Sequence, residues 1–243
     1  MNIYKQLSAT NIKQFAVLID PDKLTVDRGR ELAIHCSESG VDYIFIGGSL
    51  LIHNTLEELI TVIKAACNIP VILFPGSTMQ ISSLADGILF LSLISGRNPE
   101  MLIGKHVVAA PYLKESNLEI IPTGYMLIDS GKTTTASYMS NSNPIPYEKD
   151  DIASVTAMAG EMLGLKVIYL DGGSGADKPV SLSMIKKVKQ SLSVPLIIGG
   201  GIRSAEAAKN AWNAGASVVV VGNAIENNID LIPKIAETKN TFR

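Results

Sequence analysis

The stretches Val194-Pro-Leu-Ile-Ile-Gly-Gly-Gly-Ile-Arg203 and Ser217-Val-Val-Val-Val-Gly-Asn-Ala-Ile225 decide the fold. Each is a short apolar run, then a glycine-bearing turn, then a segment able to start a helix. Where a strand turns into a helix without side chains, backbone N–H groups can close around an anion. Two such turns on consecutive strands match the phosphate grip at the last two strands of a (β/α)8 barrel. The ligand they imply is a phosphate ester.

Buried parallel strands read as short continuous apolar runs with helices between them. The runs here are Phe15–Ile19, Tyr43–Gly47, Val71–Phe74, Gly87–Leu91, Ile120–Ile128, Val167–Leu170, Leu196–Gly199 and Val218–Val221. Several end at Asp20, Gly47-Gly48-Ser49, Pro75-Gly76 and Asp171-Gly172-Gly173. Such strand ends are where barrel enzymes keep their sites. Helical patterns cover Val26–Ser39, Leu56–Cys67, Pro99–Lys105, Lys149–Leu163, Leu182–Leu192 and Ala205–Ala214. The gap Pro75–Asp86 is barely long enough for a βαβ crossover. It predicts a barrel with helix 3 missing or vestigial, open on that side. The polar stretch Asp129–Asp150 follows the fifth strand and is expected to lie over the mouth as a lid. No domain boundary interrupts the pattern, so residues 1–243 are read as one α/β barrel domain.

A chain of 243 residues suits one such barrel with one substantial core. The net charge of −2 offers no basic surface for nucleic acid. Cys36 and Cys67 lack CxxC spacing, so a reduced, cytoplasmic protein is the expectation. The N-terminus has no signal-peptide pattern, and no apolar run approaches the roughly 18 residues of a membrane span. A lipid substrate would still bring the chain to a membrane surface transiently, although no segment is marked for it.

Asp20-Pro-Asp-Lys23 closes the first strand. A carboxylate there suits Mg²⁺, which prefers carboxylate, water and substrate phosphates. The same residues also make a good turn. Ser49 offers either an oxygen ligand or a helix N-cap. Tyr169-Leu-Asp-Gly-Gly-Ser-Gly-Ala176 places one carboxylate and a serine among three glycines. Its Asp171 could take a proton from a substrate hydroxyl. Beside the two closing turns, this loop would help surround one small phosphate ester. Arg203 either contacts that phosphate or pairs on the following helix. His35, His53 and His106 are read as structural or surface residues, and no His/Cys cluster supports zinc.

Together these residues resemble the geranylgeranylglyceryl phosphate synthase family, which includes bacterial heptaprenylglyceryl phosphate synthases. The likeness runs through Leu18–Lys23, Ile46–Ser49, Leu73–Ser77, Ser92–Ser95, Ala109–Pro111, Ile121–Tyr125, Tyr169–Ala176, Gly199–Arg203 and Gly222-Asn223. Its Phe-Pro-Gly and Ile-Pro-Thr-Gly-Tyr segments look like the archaeal-type branch that also occurs in some bacteria. The resemblance implies a modified TIM barrel and an Mg²⁺-dependent prenyltransferase. The family joins a prenyl chain from a prenyl diphosphate to the C3 hydroxyl of sn-glycerol 1-phosphate, and diphosphate leaves. It implies Asp20 and Ser49 as metal-site residues. It implies Tyr169, Leu170, Asp171, Gly172, Gly173, Ser174, Gly175, Ala176, Gly200, Gly201, Gly222 and Asn223 as the glycerol phosphate site. The presumed base of the family is usually Glu; here it is Asp171, one methylene shorter. The resemblance further implies a homo-oligomer, since the family contains dimers and hexamers. The prenyl tail is expected to leave along a groove near Pro75–Ser83 and Leu89–Ile94.

Other barrels share the grip: sugar-phosphate isomerases and synthases, and proteins that hold the phosphate of FMN. A non-catalytic glycerol-phosphate or lipid-binding protein would share it too. The Asp20/Ser49 pair and the lost helix favour the prenyltransferase.

Overall fold

Side chains along a strand alternate between two faces, and here both faces are buried, which explains strands that are apolar throughout. The computed structural model describes residues 2–9, 12–53 and 55–242. Its strands are β1 (Gln14–Ile19), β2 (Tyr43–Ile46), β3 (Val71–Leu73), β4 (Gly87–Leu93), β5 (Glu119–Leu127), β6 (Val167–Asp171), β7 (Leu196–Gly199) and β8 (Val218–Val221). They pair in parallel in chain order, and β1 pairs β8 to close the barrel. Ala16, Tyr43, Phe45, Leu89, Tyr169 and Ile197 fill the interior. Their neighbours Phe15, Val17, Ile44, Ile46, Ile168 and Ile198 point outward into the layer beneath the helices.

The helices are α1 (Ile3–Leu7), α2 (Val26–Ser39), α3 (Leu56–Ala66), α4 (Lys105–Glu115), α5 (Thr135–Ser140), α6 (Asp150–Met162), α7 (Leu182–Gln190), α8 (Ala205–Ala214), α9 (Asn223–Asn227) and α10 (Leu231–Asn240). Between β3 and β4 only one 3₁₀ turn, Thr78–Gln80, remains, as the short gap predicts. Its Gln80 is buried. The side-chain Oε1 accepts from Gly48 and Gly76 N–H at 3.2 Å, and Nε2 donates to the Gly48 carbonyl at 2.7 Å. The vestige of helix 3 thus ties the β2 and β3 strand ends together.

α10 lies outside the expected helical patterns, and three further elements differ from the expectation. The segment Pro99–Lys105 is a π turn, Glu100–Gly104, and the α-helix then continues to Glu115 despite Pro111. Ala109 and Leu113 of that helix are buried, and this packing carries it past the proline. α1 packs Ile3 and Leu7 into the interior cluster. The carboxylate of Glu119 accepts the Ile3 and Tyr4 N–H groups at 2.6 and 2.7 Å. The stretch Asp129–Asp150 carries α5, capped by Thr134, and Ile145 bridges to Ile128. Among the described residues no helix is long and apolar enough to cross a membrane.

Beyond β8, α10 is fastened by a buried ion pair. Lys239 Nζ donates to Asp42 at 2.7 Å and to the Gly40 carbonyl at 2.6 Å, and its side chain is 1% exposed. Asp42 also accepts the Phe15 N–H at 2.8 Å. Asp42→Ala would strand a buried ammonium, so unfolding free energy is expected to fall by about 3–5 kcal/mol. Lys239→Met leaves only a partly exposed carboxylate and should cost less. Urea denaturation of both variants checks the order; equal losses would contradict it.

Candidate active site

The C-terminal strand ends enclose a cavity of ≈ 720 Å³. Tyr169, Asp171, Gly173, Ser174, Gly175, Ala176, Gly200, Gly201, Gly222 and Asn223 all line it. Leu170 and Gly172 do not. The Leu170 side chain faces the outer layer, since the strand alternates, and the Gly172 N–H is held by the Gly199 carbonyl at 3.1 Å. Ser174 Oγ donates to Asn223 Oδ1 at 3.2 Å, which joins the β6 loop to the β8 turn. Arg203 lines the rim and donates to the Ala176 carbonyl at 2.5 Å, so it holds the β6 loop in place.

Asp171 is buried at the end of β6. One carboxylate oxygen accepts Tyr125 Oη at 2.6 Å, and the other accepts the Gly173 N–H at 2.7 Å. Burial raises its pKa, and these two hydrogen bonds only partly offset that. Burial also raises the Tyr125 hydroxyl well above its usual value, with the Asp171 charge adding to the effect. The phenol therefore stays protonated and is the donor. Each carboxylate oxygen keeps a second lone pair for a substrate proton.

Asp20, after β1, and Ser49, after β2, both line the cavity. A Cβ on Gly48 would stand 3.2 Å from Asp20 Oδ1. Lys23 Nζ lies 3.4 Å from Asp20, 3.3 Å from Glu226 and 3.1 Å from Asn223 Oδ1. Burial raises the Glu226 pKa against the pull of Lys23. Among the described residues no group of three or more His, Cys, Asp or Glu converges on a metal position. One carboxylate and one hydroxyl still fit an ion such as Mg²⁺, which takes the rest of its shell from water and phosphate oxygens.

A second cavity, ≈ 130 Å³, adjoins the first and shares Gly48, Ser49, Phe74, Tyr125 and Ala136 with it. It is an apolar groove through the gap left by helix 3. Phe74, Pro75, Ile81, Ile88, Phe90, Leu91 and Leu93 form one side, and Met101, His106, Ala109 and Leu113 the other. Both stretches expected to line it do so, although Leu89 packs inside the barrel and Ile94 against the outer core. α5 of the lid roofs it through Ala136, Met139 and Ser140. His106, expected to be structural, is buried in the groove wall. Its Nε2 is 3.1 Å from Ser92 Oγ, its ring meets Phe90 edge-on, and burial lowers its pKa. His53 lies in the loop ahead of α3, with Nδ1 3.3 Å from Asp22.

Sequence reasoning missed Tyr125, Phe74 and Lys23 as site residues. Phe74 stacks on Tyr169 at 5.2 Å, and Tyr125 meets both rings edge-on at 5.7 and 5.6 Å. The missed signal was parity. From Ile121, alternate residues of β5 face the interior, and Tyr125 is the polar aromatic among them.

Comparison with known proteins agrees with this geometry. Residues 8–239 match the PcrB family. The chain is 56% identical over 236 residues to a geranylgeranylglyceryl phosphate synthase of Chitinophaga pinensis, covering 97% of this chain and 94% of that protein. It is 50% identical to the protein of that name from Spirosoma linguale, covering 100% and 97%. The crystal structure of (S)-3-O-geranylgeranylglyceryl phosphate synthase from Thermoplasma acidophilum, in complex with its substrate sn-glycerol-1-phosphate, superposes with a TM-score of 0.94. Its identity is 33%, over 99% of both chains.

Proposed function

The chain belongs to the PcrB family, and from that premise we propose that it is a geranylgeranylglyceryl phosphate synthase. It transfers a geranylgeranyl-type chain from a prenyl diphosphate to the C3 hydroxyl of sn-glycerol 1-phosphate, forming an ether bond and releasing diphosphate. One observation carries the reading: a polar, glycine-walled mouth and an apolar groove meet at Phe74 and Tyr125, beside Asp171. A sugar-phosphate isomerase needs the first cavity and has no use for the second.

The chemistry follows from that junction. Gly200, Gly201, Gly222 and Asn223 hold the acceptor by its phosphate, which fixes its hydroxyl near Asp171. The groove takes the tail and directs the allylic carbon to the junction. As the carbon–oxygen bond to diphosphate breaks, that carbon gains positive charge, and the faces of Phe74 and Tyr125 favour it. The hydroxyl oxygen attacks, and its proton passes to the Asp171 carboxylate. The bonding pair leaves on diphosphate.

We further propose that Asp20 and Ser49 hold Mg²⁺. When bound, the ion neutralises charge on the departing diphosphate. The exposed side chains of Ile103, Val107, Val108 and Tyr112, on and just before α4, support a homo-oligomer. The free thiols of Cys36 and Cys67 support a reducing, cytoplasmic location.

The test is to incubate the protein with Mg²⁺, labelled sn-glycerol 1-phosphate and prenyl diphosphates of several lengths, then extract lipids. A labelled ether lipid is expected. EDTA should abolish it, and excess Mg²⁺ should restore it. No labelled lipid with any chain would overturn the activity; full turnover in EDTA would overturn the metal.

A further inference from the structure

The charged side chains lining the mouth do not suit its ligands. Two cations, Lys23 and Arg203, face three carboxylates, Asp20, Asp171 and Glu226. Both cations are already engaged: Lys23 with Asp20 and Glu226, and Arg203 with the Ala176 carbonyl. A pocket that must accept a phosphate monoester beside a diphosphate needs more positive charge than its walls supply.

We propose that Lys132, on the lid, provides it by exchanging its ion pair with Asp177 for the phosphate of the bound acceptor. This rests on the glycerol phosphate reading above. Lys132 Nζ lies 3.1 Å from Asp177 Oδ1. It also hangs over the rim of the site: a Cβ on Gly175 would stand 3.7 Å from Lys132 Nζ and 3.9 Å from Asn223 Nδ2. Gly175 and Asn223 both line the mouth. The present ion pair is weakly held, because its side chains are 46% and 58% exposed. A multiply charged phosphate at a partly enclosed site is the stronger partner, and the four-carbon stem of lysine can turn to it.

The lid is built to let Lys132 move while its own backbone stays. Thr134 packs onto Gly173, within 3 Å of where a Cβ would stand. Ile145 bridges Ile128, and Lys178 Nζ sits 3.4 Å above the Tyr147 ring. Thr134 and Tyr147 strap the lid to the β6 loop, and the Ile128–Ile145 bridge joins its two ends on either side of Lys132.

The experiment compares Lys132→Ala, Lys132→Arg and Asp177→Ala by calorimetry with sn-glycerol 1-phosphate, and by the KM of each substrate. Lys132→Ala should weaken acceptor binding about 10- to 100-fold, the range for one hydrogen bond to a charged group. It should leave the KM for prenyl diphosphate unchanged, and Lys132→Arg should recover most of the affinity. Asp177→Ala removes the competing partner and should bind the acceptor at least as tightly as the parent. If Lys132 only fastened the lid, Asp177→Ala would reproduce Lys132→Ala, and that result overturns the proposal. Equal binding by parent and Lys132→Ala also overturns it while leaving the function intact. A parent that does not bind sn-glycerol 1-phosphate overturns both.

Discussion

Asp171→Asn is expected to lower kcat about a thousandfold, the middle of the range for loss of a general base. Affinity for sn-glycerol 1-phosphate should be unchanged. Asparagine fits the same position. Its carbonyl accepts the Gly173 N–H, and its amide donates to Tyr125 Oη, which turns from donor to acceptor. Only the ability to take a proton is lost. The pH profile of the parent adds a second check. Burial raises the Asp171 pKa, so the acid limb of kcat/KM should lie above the ordinary carboxylate range, with activity falling as pH drops through it. The same shift works against stability once Asp171 ionises. A carboxyl with a raised folded-state pKa loses its stabilising contribution as pH rises through that value. The variant should therefore melt no lower than the parent at neutral pH. Turnover within tenfold of the parent would remove Asp171 from the role of base.

The strands were legible because burial on both faces leaves a run without polar interruptions, and Val218–Val221 is the plainest instance. The lost third helix was legible from length alone. α1 was hidden for a different reason. Five residues carry no usable periodicity, and its free N–H groups are satisfied by Glu119, more than a hundred positions away in sequence. α4 went unread beyond Lys105; it holds a Pro111 whose local cost is overridden by packing against the groove. Within the site, contiguity misled where alternation ruled. Tyr169-Leu170-Asp171 reads as one loop motif, yet the strand sends Leu170 outward and its neighbours inward. Tyr125 belongs to the site through the same rule: its parity along β5 turns it inward, and the β5–β6 register sets it beside Tyr169. The charge deficit of the mouth is likewise a property of which side chains meet. No run of sequence displays it.

Gly200→Ala should weaken acceptor binding about 100-fold without unfolding the barrel. Gly200 has φ +80°, and a Cβ there would stand 2.6 Å from Gly172 N and 2.7 Å from both Gly172 Cα and Gly173 N. Every one of these atoms is backbone, so no rotamer change can make room. The left-handed conformation costs about 1–2 kcal/mol for a residue with a Cβ. Overpacking adds about 1–3 kcal/mol. That strain is relieved most directly by pushing away the β6 loop, which carries Gly173, Ser174 and Gly175 into the site. The Kd for sn-glycerol 1-phosphate is then expected to rise about 100-fold, at roughly 1.4 kcal/mol per tenfold change. Turnover at limiting acceptor should fall with it. Gly40→Ala is the matching control. Gly40 has φ +75°, but nothing lies within 4 Å of its Cβ position, at the far end of α2. That variant should lose about 1–2 kcal/mol of stability from conformation alone and bind the acceptor normally. If both variants bound alike, the close approach of the β7 turn to the β6 loop would not be what shapes the phosphate site. If only Gly200→Ala failed, the grip would depend on two loops touching through their backbones, which a glycine at this position alone permits.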